Sequence, residues 1–318
     1  MSDDIIQAAW LYHVGKMNQE QVSQHLGISR FRVLRMLAEA EELGLVRVSL
    51  EHETTQTLKL ADEVRAKFDL KEVQVAPDTG GNEAATRHSV GILAAGFLAR
   101  IGKAEAKKPV TIGVGWGRTV AAMADALTGL YNPQLCFVSL MGSMTRTSAT
   151  SPSDVCARLA QLTHGSAMFM PAPFLADSAA DARLILSQRL VRETMLAARA
   201  ASHAIISVGE CTAGSLLQTS GILTDAEVDG LKAAGAVADS TGKFFCDDGS
   251  LADTDLNQRA PSIDLDDLKR CDVMMIAAGA GKARALKAVL NAGFIDRLIV
   301  DVHLGQALAE VPQRRKTR

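Results

Sequence analysis

Arg30, Arg32 and Arg35 fall within six residues, directly behind the turn Leu26-Gly27-Ile28-Ser29. A guanidinium presents its donors in a planar fork, which can pair bidentately with O6 and N7 of guanine in the major groove. The glycine permits the left-handed backbone of a tight turn, and the serine is suited to cap a following helix. Gln19, Gln21 and Ser29 are spaced to hold phosphates, contacts that set register rather than sequence choice.

A second set of residues follows glycine turns. In Thr111-Ile112-Gly113-Val114-Gly115-Trp116-Gly117-Arg118-Thr119 a strand runs through alternating glycines into a helix. Backbone amides at such a helix start favour an anion, and Arg118 and Thr119 add a charge and a hydroxyl. The spacing is neither a phosphate-binding Walker loop nor a complete dinucleotide fingerprint. The alternative is a tight strand-to-helix turn with no ligand. Gly142-Ser143 and Pro171 also follow strands and would sit beside the first loop. Asp239 and Asp247 offer carboxylates to sugar hydroxyls, or are simply turn residues. Lys282, at the end of Gly279-Ala280-Gly281-Lys282, either meets a carboxylate or phosphate or is a solvated first-turn lysine. Asp301 and His303 close the last strand, and no other His or Cys stands at ligand spacing. Neither a metal nor a cofactor is expected.

These residues need elements to carry them. Ile5, Ile6, Ala9, Trp10 and Val14 recur at helical spacing, which predicts a helix over 3–14 ended by Gly15. Asn18 is placed to cap a short helix through His25, with Val22 and Leu26 inward. A third helix over 29–43 is expected to bury Val33, Leu34, Leu37, Ala38 and Ala40 and to present its arginines. Phe31, among those arginines, either packs against the second helix, the favoured reading, or meets a thymine methyl. The arrangement predicts a helix-turn-helix that contacts DNA, against the alternative of a three-helix bundle for protein contacts. Leu45–Leu50 alternates apolar and polar residues as a short strand or wing would, and Glu51–Thr57 reads as a polar linker.

From about Leu58 the pattern becomes strands alternating with helices, the signature of βαβ units and a largely parallel sheet. Strands are predicted at 72–76, 110–114, 134–140, 167–170, 203–207, 273–277 and 298–301. Helices are predicted at 86–101, 119–130, 152–162, 180–200 and 282–291. The fold class is therefore α/β: an all-α helix-turn-helix domain at 1–52, a linker at 53–57, and a larger Rossmann-like, doubly wound domain at 58–318. In open sheets of this kind ligands bind outside the carboxyl ends of strands, where the glycine turns lie.

At 318 residues the chain exceeds what one core usually organises. Hydrophobic residues make up 47% and charged residues 22%, enough apolar surface for a sizeable core, and the net charge of −2 confines any DNA contact to a local patch. No apolar run reaches the roughly 20 residues of a membrane span, and the first residues lack a signal peptide's cationic start, so a cytoplasmic protein is expected. Five scattered cysteines without a CxxC pair fit reduced thiols.

Taken in order, Leu26-Gly27-Ile28-Ser29-Arg30, the 112–119 loop, Gly235-Ala236-Val237-Ala238-Asp239, Asp248-Gly249 and Gly279-Ala280-Gly281-Lys282-Ala283 resemble the SorC-type sugar-binding transcriptional regulators. The resemblance runs nearly end to end. It implies an effector domain similar to the ribose-5-phosphate isomerase and glucosamine-6-phosphate deaminase fold, without the enzymatic activity. It also implies a homo-oligomer, commonly a tetramer, bound to paired operator half-sites of a carbohydrate or polyol catabolic operon. By position, Gly115, Trp116, Gly117, Arg118 and Thr119 would hold the phosphate or terminal hydroxyl end of an effector, with Asp239, Asp247 and Lys282 on its other groups. Ala278, Ser143 and Val302-His303 depart from the family pattern and point to an unusual effector, such as a polyol. Two other classes compete: an isomerase or deaminase of sugar phosphates, for which no base and helper pair can be named, and an oligomerisation module without ligand.

Overall fold

In the computed structural model, residues 3–46, 55–105, 108–143 and 151–310 are described. The chain divides into two compact units, Met1–His52 and Glu53–Arg318.

The first unit is built on α1 (Asp3–His13), α2 (Gln19–Leu26) and α3 (Arg30–Glu42). Asn18 Oδ1 accepts the Gln21 amide and Gln21 Oε1 accepts the Asn18 amide, both at 2.9 Å, a reciprocal cap that satisfies two orphan donors of α2. Gly27, at φ 64°, ends α2, and Ser29 Oγ accepts the Arg32 amide to start α3. The core gathers Ile5, Ala8, Ala9, Leu11, Val22, Val33, Met36, Leu37 and Ala40. This differs from the expected inward faces. Ile6 and Trp10 of α1 and Val14 just after it are exposed, as are Leu34 and Ala38 of α3, while Met36 is buried. Ile5 and Ala9 of the expected α1 face are buried, as are Val33, Leu37 and Ala40 of α3, and Ala8 and Leu11 complete the α1 side of the core. Phe31 is 78% exposed, so its expected packing against α2 does not occur. Of the expected strand or wing, residues 47–50 lie outside the described residues, and Leu45 and Val46 are not strand.

The second unit opens with α4 (Thr55–Phe68), so the polar segment expected as linker to Thr57 is already helical at its end; residues 51–54 lie outside the described residues. Seven strands form one parallel sheet: β1 (Glu72–Ala76), β2 (Val110–Val114), β3 (Leu135–Ser139), β4 (Ser166–Met168), β5 (His203–Ile206), β9 (Asp272–Ala277) and β10 (Arg297–Asp301). Three more, β6 (Gly209–Glu210), β7 (Ala236–Ser240) and β8 (Lys243–Cys246), make a small antiparallel sheet that the sequence reading did not include. Alternate residues of each central strand enter opposite cores. Val273, Met275 and Ala277 of β9 pack toward α4 and helix Ala283–Asn291, while Met274 and Ile276 pack toward α5 (Glu83–Ala104) and α6 (Arg118–Ala126). Both faces are covered, as a parallel sheet requires.

The helix expected over 180–200 is two helices, Ala179–Ser187 and Arg189–Arg199, because Gln188 adopts an extended backbone between them. α5 starts earlier than expected, where Asn82 Oδ1 accepts the amides of Ala84 and Ala85.

The strand order β1-β10-β9-β5-β2-β3-β4 reverses direction between β2 and β5. From β2 the chain winds outward through β3 and β4. From β5 it winds the other way through β9 and β10. At such a reversal the loops leaving two neighbouring strands diverge and open a crevice at their carboxyl ends.

Candidate effector pocket and candidate nucleic-acid face

The crevice is present where the topology puts it. A cavity of about 150 Å³ is bounded by Trp116, Gly117 and Arg118 after β2, by Ser207, Val208, Gly209 and Glu210 after β5, and by Asp239 and Lys282. It exceeds the roughly 30 Å³ share of one water several times over.

The loop after β2 is shaped by its neighbours. The Gly115 amide donates to Ile205 O at 2.8 Å and extends the β2–β5 ladder by one step. Trp116 is buried, edge-to-face with Phe174 at 5.8 Å between centroids, and its carbonyl accepts Ser207 Oγ at 2.6 Å. Gly117 caps α6 at φ 136°, where a side chain would be strained, and a Cβ there would lie 2.3 Å from Ser207 Oγ. The first amides of α6 therefore lie beside the cavity, with the Arg118 side chain exposed at its mouth.

Asp239 stands on β7 directly opposite Gly209 on β6 and is 3% exposed. Burial pushes its carboxyl up to about 7, against the opposing pull of the Lys282 charge. Lys282 Nζ donates to Val208 O at 2.9 Å. Burial lowers the Lys282 pKa, Asp239 and Glu210 act to raise it, and Arg118 and Arg87 act to lower it. Two acids and three bases thus influence one small site, and Ser207, Thr212 and Ser215 add hydroxyls to its lining.

Of the residues expected from sequence, Trp116, Gly117, Arg118, Asp239 and Lys282 converge on this cavity. The others do not line it. Gly115 is buried behind the loop against Ile206, and Thr119 is buried in the first turn of α6. Gly142 and Ser143 are pinned by backbone hydrogen bonds to Pro261 and Ala172, and Phe174 returns a bond to Ser143; exposed Pro171 stands just before that ladder. Asp247 is the clearest correction. Its carboxylate takes a bidentate pair from Arg284 at 2.8 and 2.5 Å, which holds its pKa below the usual range and binds it to the surface of helix Ala283–Asn291. Ser207, Gly209, Glu210, Thr212 and Ser215, which no local motif marks, line the cavity as well. Their signal is topological, since they follow a strand whose central place in the sheet only the strand order reveals.

On the first unit, Ser29, Arg30, Arg32 and Arg35 share the exposed beginning of α3. Arg30 Nε donates to Gln19 Oε1 at 3.3 Å, so Gln19 orients an arginine across the α2–α3 turn. Among the described residues, the Arg32 and Arg35 guanidinium groups have no partner.

A helix-turn-helix unit and a doubly wound unit with a charged crevice at its switch point stand in one chain, an arrangement that matches transcriptional regulators over nearly their whole length. A family model described as a putative sugar-binding domain matches residues 52–309. The erythritol catabolism regulatory protein EryD of Brucella abortus is 32% identical over 307 residues, covering 96% of both chains. The transcriptional regulator LsrR of Escherichia coli is 26% identical over 312 residues, covering 96% of this chain and 94% of LsrR. Among solved structures, the full-length sorbitol operon regulator SorC from Klebsiella pneumoniae superposes with a TM-score of 0.79 at 22% identity, covering 96% of this chain and 98% of that one. A putative sugar-binding domain of a transcriptional repressor from Vibrio fischeri gives 0.71 at 27% identity, over 80% of this chain and all of that one. The chain belongs to the SorC-type family of sugar-binding transcriptional regulators. No helix among the described residues is long and apolar enough to cross a membrane.

Proposed function

We propose that the protein binds operator DNA through α3 and that a small sugar, polyol or sugar phosphate in the β2–β5 crevice controls that binding. The controlled genes then serve catabolism of the effector or a relative of it. The observation that carries this reading is the convergence of Arg118, Asp239 and Lys282 on one cavity at the sheet's switch point. Buried acid and base side chains suit vicinal hydroxyls, and the α6 amide terminus with Arg118 suits an oxygen-rich or anionic end. The likeness to EryD makes four-carbon polyols and their phosphates the first candidates.

In this reading Met1–His52 is the DNA-binding domain and Glu53–Arg318 the effector and oligomerisation domain. Arg32 and Arg35 read bases, while Gln19, Ser29 and Arg30 set register on the phosphates. A unit of about fifty residues in a chain of net charge −2 gives weak contact alone, so recognition helices act in pairs within a homo-oligomer, a dimer of dimers, in the cytoplasm. The effector favours one quaternary state and so shifts the population competent for DNA.

A thermal-shift screen of sugars, polyols and their phosphates tests the pocket assignment. A specific ligand raises the melting temperature by mass action. The shift is expected to vanish in Lys282→Met and Asp239→Asn; a shift that persists in both places the ligand elsewhere.

A further inference from the structure

The exposed face of α3 is not wholly charged. Phe31 is 78% exposed and Leu34, one turn further along, is 46% exposed. Ala38 continues the same face at the next turn. The core does not require these side chains, because Val33, Met36, Leu37 and Ala40 already fill the inward face of the helix. Phe31 also has no aromatic partner among the described residues. An aromatic ring is thus held in water at the start of α3, between Arg30 and Arg32, with Arg35 four residues on.

Cationic flanks around an apolar centre select the occupant. A polyanion satisfies the arginines, and the major groove of DNA offers one apolar group on its base edges, the C5 methyl of thymine. We propose that Phe31, backed by Leu34, reads a thymine C5 methyl in each operator half-site, beside the bases that Arg32 and Arg35 contact. The inference rests on the assignment of α3 as the recognition helix and adds a specificity determinant to it. Arginine donors alone would favour guanine; the ring adds a preference at a neighbouring A·T pair that hydrogen bonding does not supply.

The experiment uses the full chain and a random duplex library. Wild-type protein and Phe31→Ala are each taken through rounds of binding and amplification, and the enriched half-site is synthesised with each thymine replaced in turn by deoxyuridine. That replacement removes the methyl and keeps the pairing edge. The expected result is one thymine per half-site whose demethylation weakens wild-type binding about fourfold, the worth of one buried methyl group. The same demethylation leaves Phe31→Ala unchanged, and that variant enriches sites with no preference at the position. Phe31→Leu keeps an apolar side chain and is expected to keep part of the methyl effect. Because residue 31 is exposed, the variants should melt with the wild type, which a thermal scan verifies. Equal deoxyuridine effects in wild type and Phe31→Ala, or one motif enriched by both, would overturn the inference while leaving DNA binding intact. Failure of wild type to enrich any duplex would overturn the recognition-helix assignment itself.

Discussion

Gly209 and Asp239 face each other across the β6–β7 pair so closely that a Cβ on residue 209 would lie 2.0 Å from Asp239 Oδ1. The buried carboxylate has its position because its neighbour has no side chain. Gly209→Ala must therefore displace Asp239 from the cavity wall. Since a hydrogen bond to a charged group contributes about 1.5–3 kcal/mol, effector affinity should fall by roughly tenfold or more. Isothermal titration with the polyol or phosphate chosen by the thermal-shift screen reads the loss. DNA binding without effector should be unchanged.

The same burial gives stability a pH dependence. Asp239 has its folded pKa raised to about 7, whereas an unfolded aspartate titrates near 3.9. Between about pH 4 and pH 7 the folded protein therefore binds more protons than the unfolded chain, and this group's contribution falls as pH rises through that window. Above pH 7 the contribution levels off. Asp239→Asn removes it. Melting temperatures from pH 5 to 8 should show the wild type losing ground to the variant as pH rises; parallel curves would contradict the assignment.

Asp301 organises the turn that carries Lys282. Its Oδ2 accepts the Gly279 amide at 2.6 Å, and its Oδ1 accepts the amides of His303 and Leu304 at 3.1 Å each. Asp301→Ala leaves these donors without their acceptor, at a cost of about 2 kcal/mol. In a unit of this size that corresponds to a fall of roughly 5 °C in melting temperature. Effector affinity should fall with it, because Gly279 begins the 3₁₀ turn Ala280–Lys282.

The reciprocal cap of α2 offers a local test in the first unit. Asn18→Ala should cost about 1 kcal/mol of helix stability. Hydrogen exchange of the α2 amides should accelerate and DNA affinity should fall a few-fold, with effector binding untouched.

Much of this arrangement is legible in the residues. Glycine turns after apolar strands mark β2 and β9, and Asn18, Gly27 and Ser29 mark the ends of α2 and the start of α3. What local pattern leaves open is the choice between two faces of similar polarity. Ile6, Trp10 and Val14 are as apolar as the buried Ile5, Ala8, Ala9 and Leu11, and only packing within the three-helix core decides between them. Asp239 and Asp247 look alike as carboxylates near glycines. One is enclosed opposite Gly209, and the other is taken by Arg284 on a helix 37 positions further along the chain. Long-range pairing makes that distinction, and no short motif contains it.

Occupancy of the β2–β5 crevice is expected to change affinity for DNA. Fluorescence anisotropy of the full chain on its enriched duplex, with and without the ligand found by thermal shift, measures this directly. The expected result is at least a tenfold change in DNA affinity at saturating ligand, absent in Lys282→Met, with the reciprocal change in ligand affinity that linkage demands. A ligand that fills the pocket, loses its affinity in Lys282→Met, and yet leaves DNA affinity unchanged would contradict it.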